Sequence, residues 1–287
     1  MVNTVVDQES GRDELSISAL CERVGMSRQN YYAARRLRRR REIDEDLIVE
    51  LVRRERHMQP RLGGRKLLHL LKNDLETVGV SIGRDRFFEV LAERNLLVVP
   101  KRGVPRTTMS RHSLPVFRNL LEEKTLWGPN EAWVSDLTYI RTEEGFLYAA
   151  LIMDAYSRKI VGYHIGDRLE AEGCLKALDM ALNSLPEGKY PLHHSDRGCQ
   201  YCCHLYVEHL QARGLPISMT EIRHCYENAK AERLNGILKQ EYEMDRTFRT
   251  KAQAKEAFEQ AVWLYNYRRP HLELKYKFPA DVHQEAA

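Results

Sequence analysis

Apolar residues in the N-terminal part of the chain fall at helical spacing. Ile17, Leu20 and Val24 form one stripe, Gly25-Met26 marks a turn, and Ser27 is a natural N-cap, so residues 15–36 read as a helix-turn-helix whose second helix covers 28–36. Ile43, Leu47, Leu51 and Val52 predict another helix over 43–57, stopped by Pro60. Leu67, Leu68, Leu70 and Leu71 line a third that starts near Gly63-Gly64 and stops at Gly79. A turn over 81–86 leads into a helix over 85–95 with Phe87, Phe88, Val90 and Leu91 inward.

Residues 100–115 hold three prolines, a glycine and no apolar period, and read as a linker. After Trp127 the pattern becomes that of strands: 132–141, 146–154 and 159–165, separated by turns short enough for hairpins. A helix over 170–184, a strand over 192–195, a helix over 201–213, a strand over 217–220 and helices over 229–242 and 251–267 follow. This succession predicts an α/β core with a mixed sheet, preceded by an all-α region.

Charge sharpens the division. Residues 1–113 carry 23 Lys+Arg against 16 Asp+Glu, whereas residues 114–287 carry 22 against 25, within a net charge of +4. The basic part suits phosphate binding, since neutralised phosphates release counterions. Arg28, Gln29 and Asn30 occupy the first turn of the second helix, where side chains reach base edges in a major groove. Arg38, Arg39 and Arg40 form a basic arm, Arg84 and Arg86 are exposed positions of the fourth helix, and Lys101 and Arg102 lie in the linker. Each is a candidate DNA contact, with a solvated helix face as the plain alternative. No apolar run approaches the ~20 residues of a membrane helix, and the N-terminus lacks a signal-peptide pattern. Intracellular, cytoplasmic residence without a membrane partner is expected, and six scattered cysteines argue against a disulfide framework.

Three acids stand out by setting. Asp136 interrupts a β-forming run, where a charge is costly unless paired or metal-bound. Asp196 follows a short strand, and Glu232 opens a helix after 35 intervening residues. Gathered together, they make an oxygen-rich cage suited to Mg²⁺ or Mn²⁺, and paired ions there would clamp an in-line attack on a phosphodiester. The structural alternative makes Asp136 a strand-edge residue and Glu232 a surface acid. Lys239 falls on the face of Glu232, placed to hold a DNA phosphate. Arg268 and Arg269 read as a mixture of phosphate clamp and helix closure. His193, His194, Cys199, Cys202, Cys203, His204, His224 and Cys225 suggest zinc, but their pairing is irregular and buried thiols are the better reading.

The stretches Trp133-Val-Ser-Asp-Leu-Thr-Tyr-Ile140, Tyr156-Ser-Arg-Lys-Ile-Val-Gly162, His193-His-Ser-Asp-Arg-Gly-Cys-Gln-Tyr201, Asn228-Ala-Lys-Ala-Glu-Arg-Leu-Asn-Gly-Ile-Leu-Lys239 and Tyr265-Asn-Tyr-Arg-Arg-Pro-His271 together resemble a DDE transposase of bacterial insertion sequences, the OrfB type of the IS-three family. The resemblance implies an RNase H-like, retroviral-integrase-like core in which Asp136, Asp196 and Glu232 bind two Mg²⁺ ions, with Mn²⁺ as a substitute. It implies recognition of inverted-repeat DNA ends, strand transfer into target DNA, a homo-oligomer on paired ends and a bacterial, nucleoid-associated setting. Glu227 and Phe278 depart from the family's usual Asp and Thr at those points. The expected organisation is a helix-turn-helix and basic arm (1–41), a second helical DNA-binding unit (42–99), a basic linker (100–125) and the catalytic domain (126–287). The rival expectations are a DNA-binding regulator with an idle integrase-like domain and a nuclease that hydrolyses without joining.

Overall fold

A computed structural model describes residues 17–99, 114–221 and 228–285. The chain divides into two compact units, Met1–Leu51 and Val52–Ala287.

In the first unit, α1 (Ile17–Arg23) ends in a turn at Gly25, whose φ of +67° is the left-handed conformation glycine adopts without strain. Ser27 caps the next helix, its Oγ accepting from the Asn30 amide at 3.1 Å. That helix, α2 (Arg28–Met58), runs 31 residues without interruption. The sequence predicted two helices here, over 28–36 and 43–57. The segment between them holds neither Gly nor Pro, and its run of arginines, strong helix formers, carries the helix through. The unit boundary falls inside α2, and the two helices that follow fall in the same unit as the sheet.

In the second unit, α3 (Gly64–Thr77) buries Leu67, Leu71 and Leu75, and α4 (Arg84–Glu93) buries Phe87, Val90 and Leu91. Their attachment to the rest of the unit is polar as well as apolar. Lys66 Nζ lies 2.8 Å from Glu241 Oε1, and Tyr242 donates its hydroxyl to Gln59 at 3.1 Å.

The sheet begins as an antiparallel meander, β1 (Ala132–Thr142), β2 (Gly145–Asp154) and β3 (Ile160–Gly166). After α5 (Ala171–Asn183), β4 (Leu192–Ser195) joins β1 in parallel. The helices α6 (Cys199–Cys202) and α7 (His204–Ala212) then lead to β5 (Ile217–Met219), parallel to β4. The sequence predicted one helix over 201–213; extended backbone at Cys203 divides it. The closing elements are α8 (Ala229–Glu241), β6 (Thr247–Phe248), α9 (Lys251–Tyr267) and α10 (Pro279–Glu285). Strand order is β3-β2-β1-β4-β5, with the two-residue β6 pairing with the far end of β1. A strand of two residues has no period, so hydropathy gave no sign of it.

Alternating side chains send β1 into two cores. Val134 and Ile140 pack in the cluster containing Leu234, Leu238 and Phe258 from α8 and α9. Trp133 packs in the other, with Leu178, Tyr206 and Leu210 from α5 and α7. The result is an RNase H-like mixed sheet covered on both faces by helices. Among the described residues, no helix is long and apolar enough to cross a membrane.

Candidate active site

The parallel pairing of β1 with β4 aligns Ala132 with Leu192, Trp133 with His193 and Val134 with His194. The paired stretch ends there: Asp136 lies two residues further along β1, Asp196 directly follows β4, and the charge of Asp196 acts on Asp136. A buried polar spine lies beneath. Ser135 Oγ and Tyr206 Oη both reach His193 Nε2, at 2.8 and 2.9 Å. Burial, reinforced by neighbouring His194, drives the His193 pKa down to about 3, so the ring is neutral.

The third acid arrives on α8. Glu232 lies in the first turn of that helix, where a negative charge is favoured by the unpaired amides. One turn on, Asn235 Nδ2 donates to Asp136 Oδ2 at 2.7 Å, and Asn228, just before the helix, donates to the Ser135 carbonyl at 3.0 Å. Two asparagines thus lace α8 to β1 around Asp136. Asp196 is ordered by its own turn, Oδ1 accepting from the Gly198 amide at 3.0 Å.

Asp136 is densely enclosed although part of its surface reaches solvent. Burial pushes its carboxyl up to about 7; the field of Asp196 adds to this and that of Glu232 adds less, against the Leu137 amide and Asn235. Like charge near a buried carboxylate calls for a cation, and an all-oxygen donor set suits a hard one. The acids are electrostatic neighbours rather than a closed cage: among the described residues, no three His, Cys, Asp or Glu side chains are spaced to hold an ion. The chemistry of the donor set fits a divalent cation.

Lys239, two turns beyond Glu232, rests with Nζ 4.7 Å from the Tyr139 ring centroid, within the field of Asp136. Other sequence-predicted contacts are placed differently. Arg28, Gln29, Asn30, Arg38, Arg39 and Arg40 are exposed on α2, where Arg28, Gln29, Tyr32, Arg35, Arg36 and Arg39 lie along one side of the helix. Arg84 pairs with Asp85, and Arg86 with Glu89 and Glu93, so their charge is partly neutralised within α4. Arg269 is only 2% exposed, its guanidinium paired with Glu241 at 2.7 and 2.9 Å. Arg268 grips buried Glu55 at 3.1 and 2.7 Å. These two arginines close the helix against the core; the phosphate-clamp half of the expectation finds no exposed guanidinium at Arg269. Lys101, Arg102, His224 and Cys225 lie outside the described residues. Of the zinc candidates, His193 and His194 are buried in hydrogen bonds to hydroxyls, and Cys202 packs against Met219 Sδ at 3.6 Å. Asn235 escaped the sequence reading, although its position one turn after Glu232 on the same face was a usable signal.

Two models described as integrase core domain match residues 128–225 and 213–279. An uncharacterized 31 kDa protein of insertion element IS600 from Shigella sonnei is 36% identical over 276 residues, covering 93% of this chain and all of that one. Transposase InsF of insertion sequence IS3 from Escherichia coli is 31% identical over 243 residues, 81% of each chain. The chain belongs to the IS3-type DDE transposases. It is therefore a DNA transposase, a polynucleotidyl transferase built on an integrase core. Among solved structures, the catalytic core domain of HTLV-2 integrase in complex with magnesium aligns with 58% of the transposase and 99% of its own length, at 20% identity and a TM-score of 0.43.

Proposed function

We propose that Asp136, Asp196 and Glu232 are the catalytic carboxylates of this transposase and that they hold two Mg²⁺ ions, for which Mn²⁺ substitutes. The carrying observation is the parallel pairing of β1 with β4, which ends just short of both aspartates, together with the Asn235 bond that ties the Glu232 helix to Asp136. Divalent ions bound there supply activation of the attacking oxygen and charge stabilisation at the departing 3′-oxygen. The chain's own groups do the rest. Asn235 and the Leu137 amide orient the Asp136 carboxylate. Lys239 holds a phosphate of the transferred strand beside the acids, and the stacked Ser135–His193–Tyr206 spine keeps β1 and β4 from slipping.

The DNA-binding part of the reading rests on α2. Arg28, Gln29 and Asn30 contact base edges, and Arg38, Arg39 and Arg40 contact phosphates, as do Lys101 and Arg102. Arg84 and Arg86 contribute secondarily, because they share their charge with acids of their own helix. The partners are the inverted-repeat ends of a mobile element and target DNA, engaged by two or more protomers in the bacterial cytoplasm, at the nucleoid.

Joining of labelled element ends to a plasmid in Mg²⁺ tests the assignment. Asp136→Asn, Asp196→Asn and Glu232→Gln are each expected to abolish joining while end binding persists. Normal joining by any one of them refutes its role.

A further inference from the structure

The end of the β1–β2 hairpin beyond the acids has one uncovered face. The antiparallel register sets Tyr139 opposite Tyr148 and Arg141 opposite Phe146, so these four side chains share that face. The alternate residues Thr138, Ile140, Thr142 and Leu147 are buried, whereas Arg141 and Phe146 are exposed and the two tyrosines half-exposed. Phe146 stands edge-on to Tyr139 at 5.7 Å, with ring planes at 85°. Two cations reach the Tyr139 ring: Lys239 at 4.7 Å and Arg141 at 5.9 Å. Across β6, Arg246 sits 4.5 Å over Phe248, and Arg249 is exposed nearby in sequence. The hairpin tip also carries Glu143 and Glu144, and Glu144 is engaged in capping the Lys251 amide at 2.8 Å. Phe146 is 49% exposed and Tyr139 and Tyr148 are partly so, whereas Phe248 is buried.

We infer that this face is a stacking platform for unpaired nucleotides of the DNA strand entering the catalytic site. The inference rests on the proposed transposase site, from which it extends: Asp136 belongs to the alternate set of β1 side chains, and Lys239, which lies in the Asp136 field, reaches the Tyr139 ring three residues, a run of ~10 Å, further along the strand. Aromatic rings flanked by cations accept bases without regard to sequence, each stacked base contributing to affinity, while the cations meet the backbone. The rings are held for this use. Tyr139 is fixed by Phe146 on one side and by the Lys239 ammonium on another, and Lys239 itself lies in the Asp136 field. A phosphate bound by Lys239 would therefore carry its neighbouring base onto Tyr139 and Phe146.

Fluorescence anisotropy on the full chain tests this with two probes, a blunt element-end duplex and the same duplex with a single-stranded tail of about five thymidines. The parent is expected to bind the tailed probe more tightly. A Tyr139→Leu/Phe146→Ser pair should weaken tailed binding by about five- to 100-fold and leave blunt binding unchanged, while Tyr139→Phe, which keeps the ring, retains parental affinity. Equal affinity of the parent for both probes overturns the platform and leaves the transposase site standing. Failure of the parent to bind either probe overturns both. A lower oligomer mass of the double variant by light scattering overturns the platform in favour of a protomer interface. Should the double variant misfold, 5-iodouracil placed in the tail is expected to crosslink the parent at Tyr139 or Phe146, and crosslinks confined elsewhere overturn the inference.

Discussion

Asn235 Nδ2 donates to Asp136 Oδ2 at 2.7 Å, so one face of α8 carries both an acid of the site and the donor that fixes another. The other end of the same amide, Oδ1, is buried with no hydrogen-bond partner among the described residues, which leaves the carboxylate as the amide's principal anchor there. This bond favours the ionised form of Asp136. Asn235→Ala should raise the Asp136 pKa above its value of about 7, moving the acidic limb of the strand-transfer pH profile upward by at most about one unit. Rates of parent and variant should converge in alkaline buffer. A parallel loss at every pH would mean that Asn235 acts in some other way.

Asp136 trades stability for function. Its pKa is raised from 3.8 to about 7 by burial and then by Asp196, so between those values the folded chain binds a proton that the unfolded chain has released. Stability contributed by this group is therefore present below pH 3.8 and lost as pH rises through about 7. Asp136→Asn, which removes the buried charge, should stabilise the protein in chelator by ~1–4 kcal/mol at alkaline pH and by little near pH 4. Mg²⁺ should raise the melting temperature of the parent in alkaline buffer, and that of the variant far less. Thermal melts at the two pH values decide it; a variant that melts no higher than the parent in alkaline chelator contradicts the raised pKa.

The far end of α8 is held by a second device. Burial, the largest influence, pushes the Glu241 carboxyl up, but the hydrogen bonds and charges of Arg269 and Lys66 together hold it at about 2. Lys66 does not gain in the same way: burial first, then the Arg269 charge, bring it down to about 8. The geometry resolves this asymmetry, because Arg269 makes two bonds to Glu241 and Lys66 one. Arg269→Met should cost ~3–5 kcal/mol by urea unfolding, leaving a buried carboxylate poorly compensated, whereas Lys66→Met should be neutral within ~1 kcal/mol or stabilising. The reverse order would show that Lys66 is the principal partner.

At the crossing of β3 and α5 the backbones nearly touch. A Cβ at Gly162 would lie 2.1 Å from the Ala177 carbonyl oxygen and 2.9 Å from the Ala181 Cβ. Neither neighbour is a flexible side-chain end, so Gly162→Ala must separate α5 from the sheet. A loss of ~3 kcal/mol or more, seen as insoluble expression or a large fall in melting temperature, is expected. A variant that melts with the parent would show that the two elements separate freely.

Local pattern alone located most elements. The sequence marked the strand over 192–195 and the helix over 251–267 at their observed bounds, because apolar periodicity and a bordering turn or cap are properties of neighbouring residues. Family membership was legible for a related reason: the motifs around Asp136, Asp196 and Glu232 are contiguous. Periodicity failed where the signal was too short, as in β6, or misleading, as in the arginine run that α2 passes straight through.

What only the tertiary structure decided were the pairings between residues far apart in the chain. Pairing of β1 with β4 brings together the stretches that lead to Asp136 and Asp196, and no local pattern specifies which residue of one strand faces which of another. Arg268 and Arg269, read from sequence as a mixture of phosphate clamp and helix closure, pair with Glu55 and Glu241, 213 and 28 residues away. A side chain's charge is fixed by its identity, but its partner is fixed by packing, because desolvation makes an unpaired buried charge costly and the fold brings the compensating group from wherever the chain returns.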